Sequence, residues 1–195
     1  MIGVLVSGEG SNLQALLDAD LPVVAVASNV RSARALARAE SAGVATATFA
    51  LDDYSDRDAR DRAMAEWLEG RGVELVVCAG WMGILTRPFL ARHVAINLHP
   101  ALLPSFPGAQ AVREALEHGV RVTGVTVHLV DDGVDSGPIL LQAAVPVHYD
   151  DDPETLAARL HEAEHRLLPR AISLLAADRV ELTGRVARVV DVEDS

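Results

Sequence analysis

Apolar positions along the first hundred residues follow two alternating rhythms. Short continuous apolar runs at 2–6 (IGVLV), 22–27 (PVVAVA), 44–48 and 74–79 (ELVVCA) read as buried strands. Between them, amphipathic stretches near 11–19, 31–42 and 57–71 are rich in Ala, Leu, Arg and Glu and read as helices. Strands without polar alternation, separated by helices, predict a parallel sheet covered on both faces. A further strand at 94–98 leads into the loop HPALLPSFPG, followed by a helix near 109–118.

The rhythm then changes. Residues 121–130 (RVTGVTVHLV) and 138–147 (PILLQAAVPV) are two long strands joined by DDGVDSG, a connection too short to hold a crossover helix. They are expected as an antiparallel or splayed pair at the sheet edge. A long helix at 153–177 follows, with Asp151 or Asp152 as its N-cap and Glu154 in its first turn. The stretch 180–192 alternates Val with polar residues and reads as a small surface strand or hairpin. No repeat, low-complexity run or linker interrupts the chain. The expectation is one α/β domain over 1–195 with 179–195 as a peripheral tail: a mostly parallel, Rossmann-like twisted sheet with helices on both faces and an antiparallel strand pair in the C-terminal half.

Composition narrows the chemistry. Half of the 195 residues are apolar, enough for a substantial core, yet no run of about 18 apolar residues occurs to span a membrane. MIGVLVSGEG lacks a basic flank and a cleavage site, so it reads as a first buried strand and not as a leader. A net charge of −11 argues against a general nucleic-acid binder, though not against a small anionic substrate. Cys78, the only cysteine, sits in an apolar run without basic neighbours, so it reads as a packed strand residue in a reducing cytoplasm. All 17 Lys-or-Arg residues are arginines. Without lysine, Schiff-base chemistry and a Walker-type phosphate loop are excluded, and any anion must be held by Arg, His or backbone N–H groups.

Three loops carry candidate chemistry. Ser7-Gly8-Glu9-Gly10-Ser11-Asn12 joins the first strand to a helix, where glycines allow close approach and the helix N-terminus offers free N–H groups to an anion. Ser11 or Asn12 is expected to cap that helix. A dinucleotide fingerprint would need glycine at position 13 and an acidic residue ending the second strand, where Leu13 and Asn29 stand. A glycine pair alone is weak evidence, and the plainer reading of the loop is a tight turn before a capped helix. Asn97 and His99, two apart at the end of a strand, share a face at the edge where open α/β sheets bind ligands. The stiff Pro100–Gly108 segment behind them is expected to fix geometry, with a cis Leu103–Pro104 bond. Asp135 lies in the loop after the next strand, within possible reach of His99. An amide, an imidazole and a carboxylate suit attack on a carbonyl: the amide donates to an oxyanion, the imidazole donates or relays a proton, and the carboxylate favours its charged form. Singly, each reads more simply, His99 as a packed loop residue and Asp135 as turn chemistry. No Gly-x-Ser-x-Gly elbow is present, and His161/His165, at helical i,i+4 spacing, lack a third metal ligand.

Read together, SGEGSNLQAL, CAGWMGIL, INLHPALLPSFPG, TVHLVDDGVDSGPILLQ and HEAEHRLLP, in this order over residues 2–170, resemble the glycinamide ribonucleotide (phosphoribosylglycinamide) formyltransferase family. The Asn-x-His-Pro-x-Leu-Leu-Pro and Asp-x-Gly-Pro segments are shared with other folate-dependent formyltransferases, and the Gly-x-Gly-Ser-Asn loop points to this branch. The resemblance implies formyl transfer from the co-substrate 10-formyltetrahydrofolate to the amine of glycinamide ribonucleotide in purine synthesis, with no metal and small molecules as partners. It leaves open whether the enzyme is a monomer or a homodimer. It also implies that Asn97, His99 and Asp135 are catalytic, and that Gly10, Ser11, Asn12, His161 and Glu164 hold phosphate and ribose. The folate falls to Asn97, Arg57, the backbone of Met82, Gly83, Ile84 and Leu85, and Asp131, Asp132, Gly133 and Val134. Three positions depart from the family pattern: Trp81 for Phe, Gly83 for Arg and Gln110 for His. The Gly83 departure removes a side-chain contact to the folate tail and shifts weight to Arg57. Other readings are a tRNA or nucleotide-sugar formyltransferase, a formyltetrahydrofolate hydrolase, and a non-catalytic folate- or nucleotide-binding module. The tRNA enzyme should carry a further C-terminal domain and a basic surface, and the hydrolase an N-terminal module.

Overall fold

The computed structural model describes residues 1–190. Among these described residues, nine strands and six α-helices follow in the order β1 (Ile2–Val6), α1 (Ser11–Asp18), β2 (Val23–Ser28), α2 (Arg34–Ser41), β3 (Ala45–Thr48), α3 (Arg57–Glu69), β4 (Leu75–Cys78), α4 (Arg87–Leu90), β5 (Val94–His99), α5 (Ala111–Glu117), β6 (Val122–Leu129), β7 (Ile139–Pro146), α6 (Pro153–Ala176), β8 (Val180–Thr183) and β9 (Val186–Val189). A 3-10 turn spans Leu51–Asp53. Seven strands form one sheet in the order β3-β2-β1-β4-β5-β6-β7. The pairings β1/β2, β1/β4, β2/β3 and β4/β5 are parallel, and β6/β7 is antiparallel. The expected fold class is therefore present.

By its contacts the chain divides into two compact units, Met1–Asn97 with Val130–Val134, and Leu98–Leu129 with the chain from Asp135 onward. In the first unit, the strand order leaves β1 in both directions: β2 and β3 on one side, β4 and β5 on the other. Because parallel crossovers are right-handed, this reversal sends α1 and α2 to one face and α3 to the other. The C-terminal ends of β1 and β4 therefore sit side by side while their following loops diverge, the switch point where open α/β sheets hold ligands. One core of this unit packs Leu5, Ala25, Ala27, Phe49, Met64, Leu68, Val76 and Phe89. Cys78 is part of it, and burial pushes its thiol up to about 12, which leaves it inert as a nucleophile.

In the second unit, β6 and β7 form the long hairpin, and α6 buries Leu156, Leu160, Ala163, Leu167, Leu168 and Ala171 at helical spacing. Asp152 caps α6: its carboxylate accepts from the Glu154 and Thr155 N–H groups while Thr155 returns a bond to the Asp152 backbone. The β8–β9 hairpin realises the alternation read at 180–192. The last five residues of the expected tail lie outside the described residues.

One local expectation fails, and one short helix had none. Helix α1 has no side-chain cap from Ser11 or Asn12; its N-cap is Gly10, in the left-handed region at φ 76°, and the Gly10 carbonyl accepts from Gln14 N. A Cβ at Gly10 would stand 2.6 Å from the Ala35 Cβ, so glycine is needed both for the turn and for the close approach of α2. The four-residue helix α4 had no periodic signal; it begins behind Thr86 with Pro88 in its first turn.

Candidate functional site

Asn97 and His99 lie two residues apart on β5, as the alternation of a strand requires. His99 is almost fully buried, and both ring nitrogens face oxygen atoms. Nε2 is 2.7 Å from the Phe106 carbonyl and Nδ1 is 3.3 Å from Asp135 Oδ2. Only a doubly protonated ring supplies an N–H to each. Phe106 holds φ 53°, an unusual conformation for a bulky side chain, and that backbone turns its carbonyl onto the imidazole.

Asp135 is the hub of this cluster. Its Oδ2 also accepts from the Gly108 N–H at 2.7 Å, and its Oδ1 lies 3.5 Å from His128 Nε2. Burial raises the carboxyl, but the hydrogen bond from His128, the Gly108 N–H and the charges of His99 and His128 together outweigh it and bring it to about 2. The carboxylate therefore stays ionised between two imidazoles. His128 was not singled out from sequence. Its signal was a histidine inside an apolar strand, on the same face as Thr126, which resembles a core residue. Its Nδ1 is 2.8 Å from the Leu129 carbonyl, so this ring too has an oxygen at each nitrogen.

The Pro-rich loop is fastened where no sequence motif announced it. Thr126 Oγ1 donates to the Ala101 carbonyl and accepts from Leu103 N, while Gln142 Nε2 donates to the Leu103 carbonyl and to Thr126 Oγ1. The Leu103–Pro104 bond in this loop is cis, as expected. On α6, His161 Nε2 and Glu164 Oε2 are 3.9 Å apart, and the rings of His161 and His165 stack at 6.3 Å. Glu164 is buried and His161 is exposed. Gln110 is exposed and occupies the N-cap position of α5 without a side-chain cap.

In the first unit, Ser7 ties two predicted regions together. Its hydroxyl donates to Asn29 Oδ1 and accepts from Met82 N at 2.8 Å, so the glycine loop after β1 and the 80–85 segment after β4 are neighbours at the switch point. The helix α2 borders the glycine loop: Arg38 Nε donates to the Glu9 carbonyl, and Arg34 pairs with the Glu9 carboxylate. Gly10, the N-cap, and Ser11 and Asn12 in the first turn thus form the N-terminus of α1 beside Arg34 and Arg38. In the 82–85 segment, Met82 and Ile84 are exposed at 70% and 49%, whereas Leu85 is in the core and offers a ligand only its backbone.

A buried ion pair holds this segment. Arg60 and Asp61 on α3 meet at 2.6 Å; Arg60 Nη2 donates to the Ile84 carbonyl and Asp61 Oδ2 accepts from Thr86 N. Sequence reading missed both residues because RDARDRAMAEWLE looks like an ordinary charged helix surface. Arg57, singled out instead, is exposed at the first residue of α3. In the loop 131–134, Asp132 pairs with Arg87 at 2.6 Å, Gly133 N donates to Asp131 Oδ1, and Val134 is exposed. Among the described residues no group of three or more His, Cys, Asp or Glu side chains is arranged to hold a metal ion, and no helix is long and apolar enough to cross a membrane.

Comparison with known proteins agrees with this geometry. Residues 1–172 match the model of the formyl transferase family. A phosphoribosylglycinamide formyltransferase of Mycobacterium tuberculosis is 48% identical over 190 residues, covering 94% of this chain and 88% of that protein. The crystal structure of glycinamide ribonucleotide transformylase 1 from Symbiobacterium toebii superposes with a TM-score of 0.95 at 47% identity, covering 97% of this chain and 93% of that one. A trifunctional purine biosynthetic protein of Drosophila pseudoobscura pseudoobscura is 42% identical over 206 residues, and the chain spans 15% of its length. The sheet order, the imidazole–carboxylate pair behind a Pro-rich loop and these similarities agree: the chain belongs to the formyl transferase family.

Proposed function

We propose that this chain transfers the formyl group of 10-formyltetrahydrofolate to the amine of phosphoribosylglycinamide. The amine nitrogen attacks the formyl carbon, the new N–C bond forms, and the bond from that carbon to N10 of the folate breaks. Overall the amine loses one proton and N10 gains one, so the balance needs no other reactant. Asn97 donates to the oxyanion of the tetrahedral intermediate, and His99 in its charged form stabilises it. Asp135 holds that charge in place and assists proton movement. The observation that carries this reading is the buried His99 ring with Asp135 Oδ2 at 3.3 Å from Nδ1.

Gly10, Ser11 and Asn12 receive the substrate phosphate through the N-terminal N–H groups of α1, and His161 and Glu164 serve the ribose and phosphate. The folate takes the backbone of Met82, Gly83, Ile84 and Leu85, with Asp131, Asp132, Gly133 and Val134, Asn97 and Arg57. An unreactive buried thiol and a net charge of −11 fit a cytoplasmic enzyme of small molecules. The test is tetrahydrofolate formation by the purified chain, with and without the amine. Amine-dependent turnover is expected, and His99→Ala or Asn97→Ala should lower it by about 10²–10³-fold. Turnover that ignores the amine, or variants as active as the parent, would refute the proposal.

A further inference from the structure

His99 and Asp135 are both held from one short stretch of backbone. The Phe106 carbonyl is 2.7 Å from His99 Nε2, and the Gly108 N–H donates to Asp135 Oδ2 at 2.7 Å. Both residues have a positive φ, 53° at Phe106 and 92° at Gly108. At Gly108 that conformation is free of strain, since glycine has no Cβ. At Phe106 it is not. A bulky residue with positive φ crowds its own backbone, and it persists only where its surroundings hold it.

The Phe106 ring has one aromatic neighbour among the described residues. Its centroid is 5.3 Å from that of the His118 imidazole, with the planes 59° apart, a tilted contact in the range where aromatic pairs attract. His118 stands at the C-cap of α5, and its Nδ1 is 2.9 Å from the Glu114 carbonyl. A carbonyl only accepts, so Nδ1 carries the proton and this bond orients the ring. Helix α5 begins at Ala111, so the chain leaves the strained residue, runs the length of the helix and returns a ring to it. Phe106 is part-buried and His118 is exposed, so the stack is not core packing.

We propose that His118 is a positioning residue for the His99–Asp135 pair: its ring holds Phe106 in the positive-φ conformation that aims the Phe106 carbonyl at His99 Nε2. This rests on the reading of His99 and Asp135 as the reacting pair, and it extends the support of that pair to the C-terminal end of α5. A particular order of substitutions follows at position 106. Glycine adopts the native φ without strain and needs no ring to hold it, whereas alanine keeps the strain and loses the ring.

The contact is read first without substrate, from the ring N–H protons of ¹⁵N-histidine-labelled protein, with His99→Ala identifying the His99 signals. In the parent the His99 Nε2–H should be downfield and protected from exchange by its bond to Phe106. In His118→Ala it should broaden and exchange faster, and in His118→Phe, which restores a ring, it should return. The kcat for formyl transfer should fall about fivefold in His118→Ala, as for loss of one aromatic pair, and recover in His118→Phe. Both KM values should stay within about twofold of the parent. Phe106→Gly should keep more of kcat, and more of the His99 signal, than Phe106→Ala, the reverse of the order for a ring that only packs. An unchanged kcat in His118→Ala, whatever the ring signal or the melting temperature does, would overturn the inference and leave the formyl-transfer reading intact. Failure of His118→Phe to recover, or Phe106→Ala matching Phe106→Gly, would do the same. A parent without amine-dependent turnover would refute the formyl-transfer reading and take the inference with it, an outcome seen in the parent and not in the variants. His118 is exposed, so its variants leave the buried core untouched.

Discussion

The buried Asp61 and the part-buried Asp135 are built alike but carry different partners. Asp61 is held by Arg60 and by the N–H of Thr86, 25 residues away; Asp135 is held by His99, His128 and the N–H of Gly108, 27 residues away. Each fastens a loop to a regular element, and each accepts one backbone hydrogen bond at 2.7 Å. The cations differ. A guanidinium never gives up its proton in a protein, so the Asp61 pair is a permanent clamp for residues 84–86. An imidazole, unlike a guanidinium, can release a proton, so on the proposed reading the same architecture around Asp135 moves a proton while keeping its geometry. On the proposed reading, the choice of partner, more than burial or distance, separates the structural carboxylate from the one assigned to the reaction.

The largest expected effect falls on the clamp. Asp61→Asn keeps the volume but leaves the buried Arg60 charge without a counter-ion, which should cost about 3–5 kcal/mol of stability. Replacing both residues, as Arg60→Met with Asp61→Leu, should recover most of that loss in a denaturant titration. An Asp61→Asn protein as stable as the parent would show that solvent or a rearranged loop already screens Arg60.

Asp135→Asn sharpens the contrast from the other side. The amide oxygen can still accept from Gly108 N, so the loop stays attached, but the amide nitrogen would face an imidazole that needs an acceptor. Turnover should fall by about 10²-fold, at the low end for a group that assists proton transfer, with a smaller loss of stability than Asp61→Asn. Turnover within about threefold of the parent would remove Asp135 from the reaction.

The strands and helices around both carboxylates were legible because burial writes itself into local pattern. Continuous apolar runs at 2–6 and 74–79 marked the parallel strands, and the candidate caps Asp151 and Asp152 with Glu154 marked the start of α6. The pairing of His99 with Asp135 was legible as an expectation because both stand at strand ends with a short spacing of loop chemistry. The Asp61 clamp was not, since Arg60 and Asp61 are adjacent on a helix and their loop partners, Ile84 and Thr86, contribute only backbone atoms. Backbone groups carry no residue signature, and the same reason hid Phe106, whose carbonyl is what meets His99. Helix α4 escaped because four residues are too few to show a period.

The pH dependence of stability reports on Asp135 without any substrate. Asp135 is lowered from its ordinary value to about 2, so the folded state favours its ionised form. A depressed carboxyl contributes stability that is complete above the unfolded-state value, near 4, and is lost as pH falls toward 2. About 2 kcal/mol should disappear across that window. The difference in unfolding free energy between the parent and Asp135→Asn should accordingly shrink from pH 5 to pH 2. A difference that is flat with pH would mean that the native carboxylate is not preferentially ionised.

The smallest effect concerns the second imidazole. His128 Nε2 lies 3.5 Å from Asp135 Oδ1, at the limit of a hydrogen bond, and its ring is not placed to replace His99 at the end of β5. His128→Phe removes that donor while filling the buried space, so Asp135 should lose about 1.5 kcal/mol of support, the low end for a bond to a charged group. Its carboxyl should then titrate higher, and the acid limb of the stability profile should shift upward with it. His128→Gln, whose side-chain amide can still donate to Oδ1, should sit between the parent and His128→Phe. Turnover should change less than in Asp135→Asn for both variants, because His99 keeps its own carboxylate contact. If His128→Phe instead abolished turnover and left the acid limb unmoved, the two imidazoles would have to exchange roles, with His128 acting on substrate and His99 holding the loop through the Phe106 carbonyl.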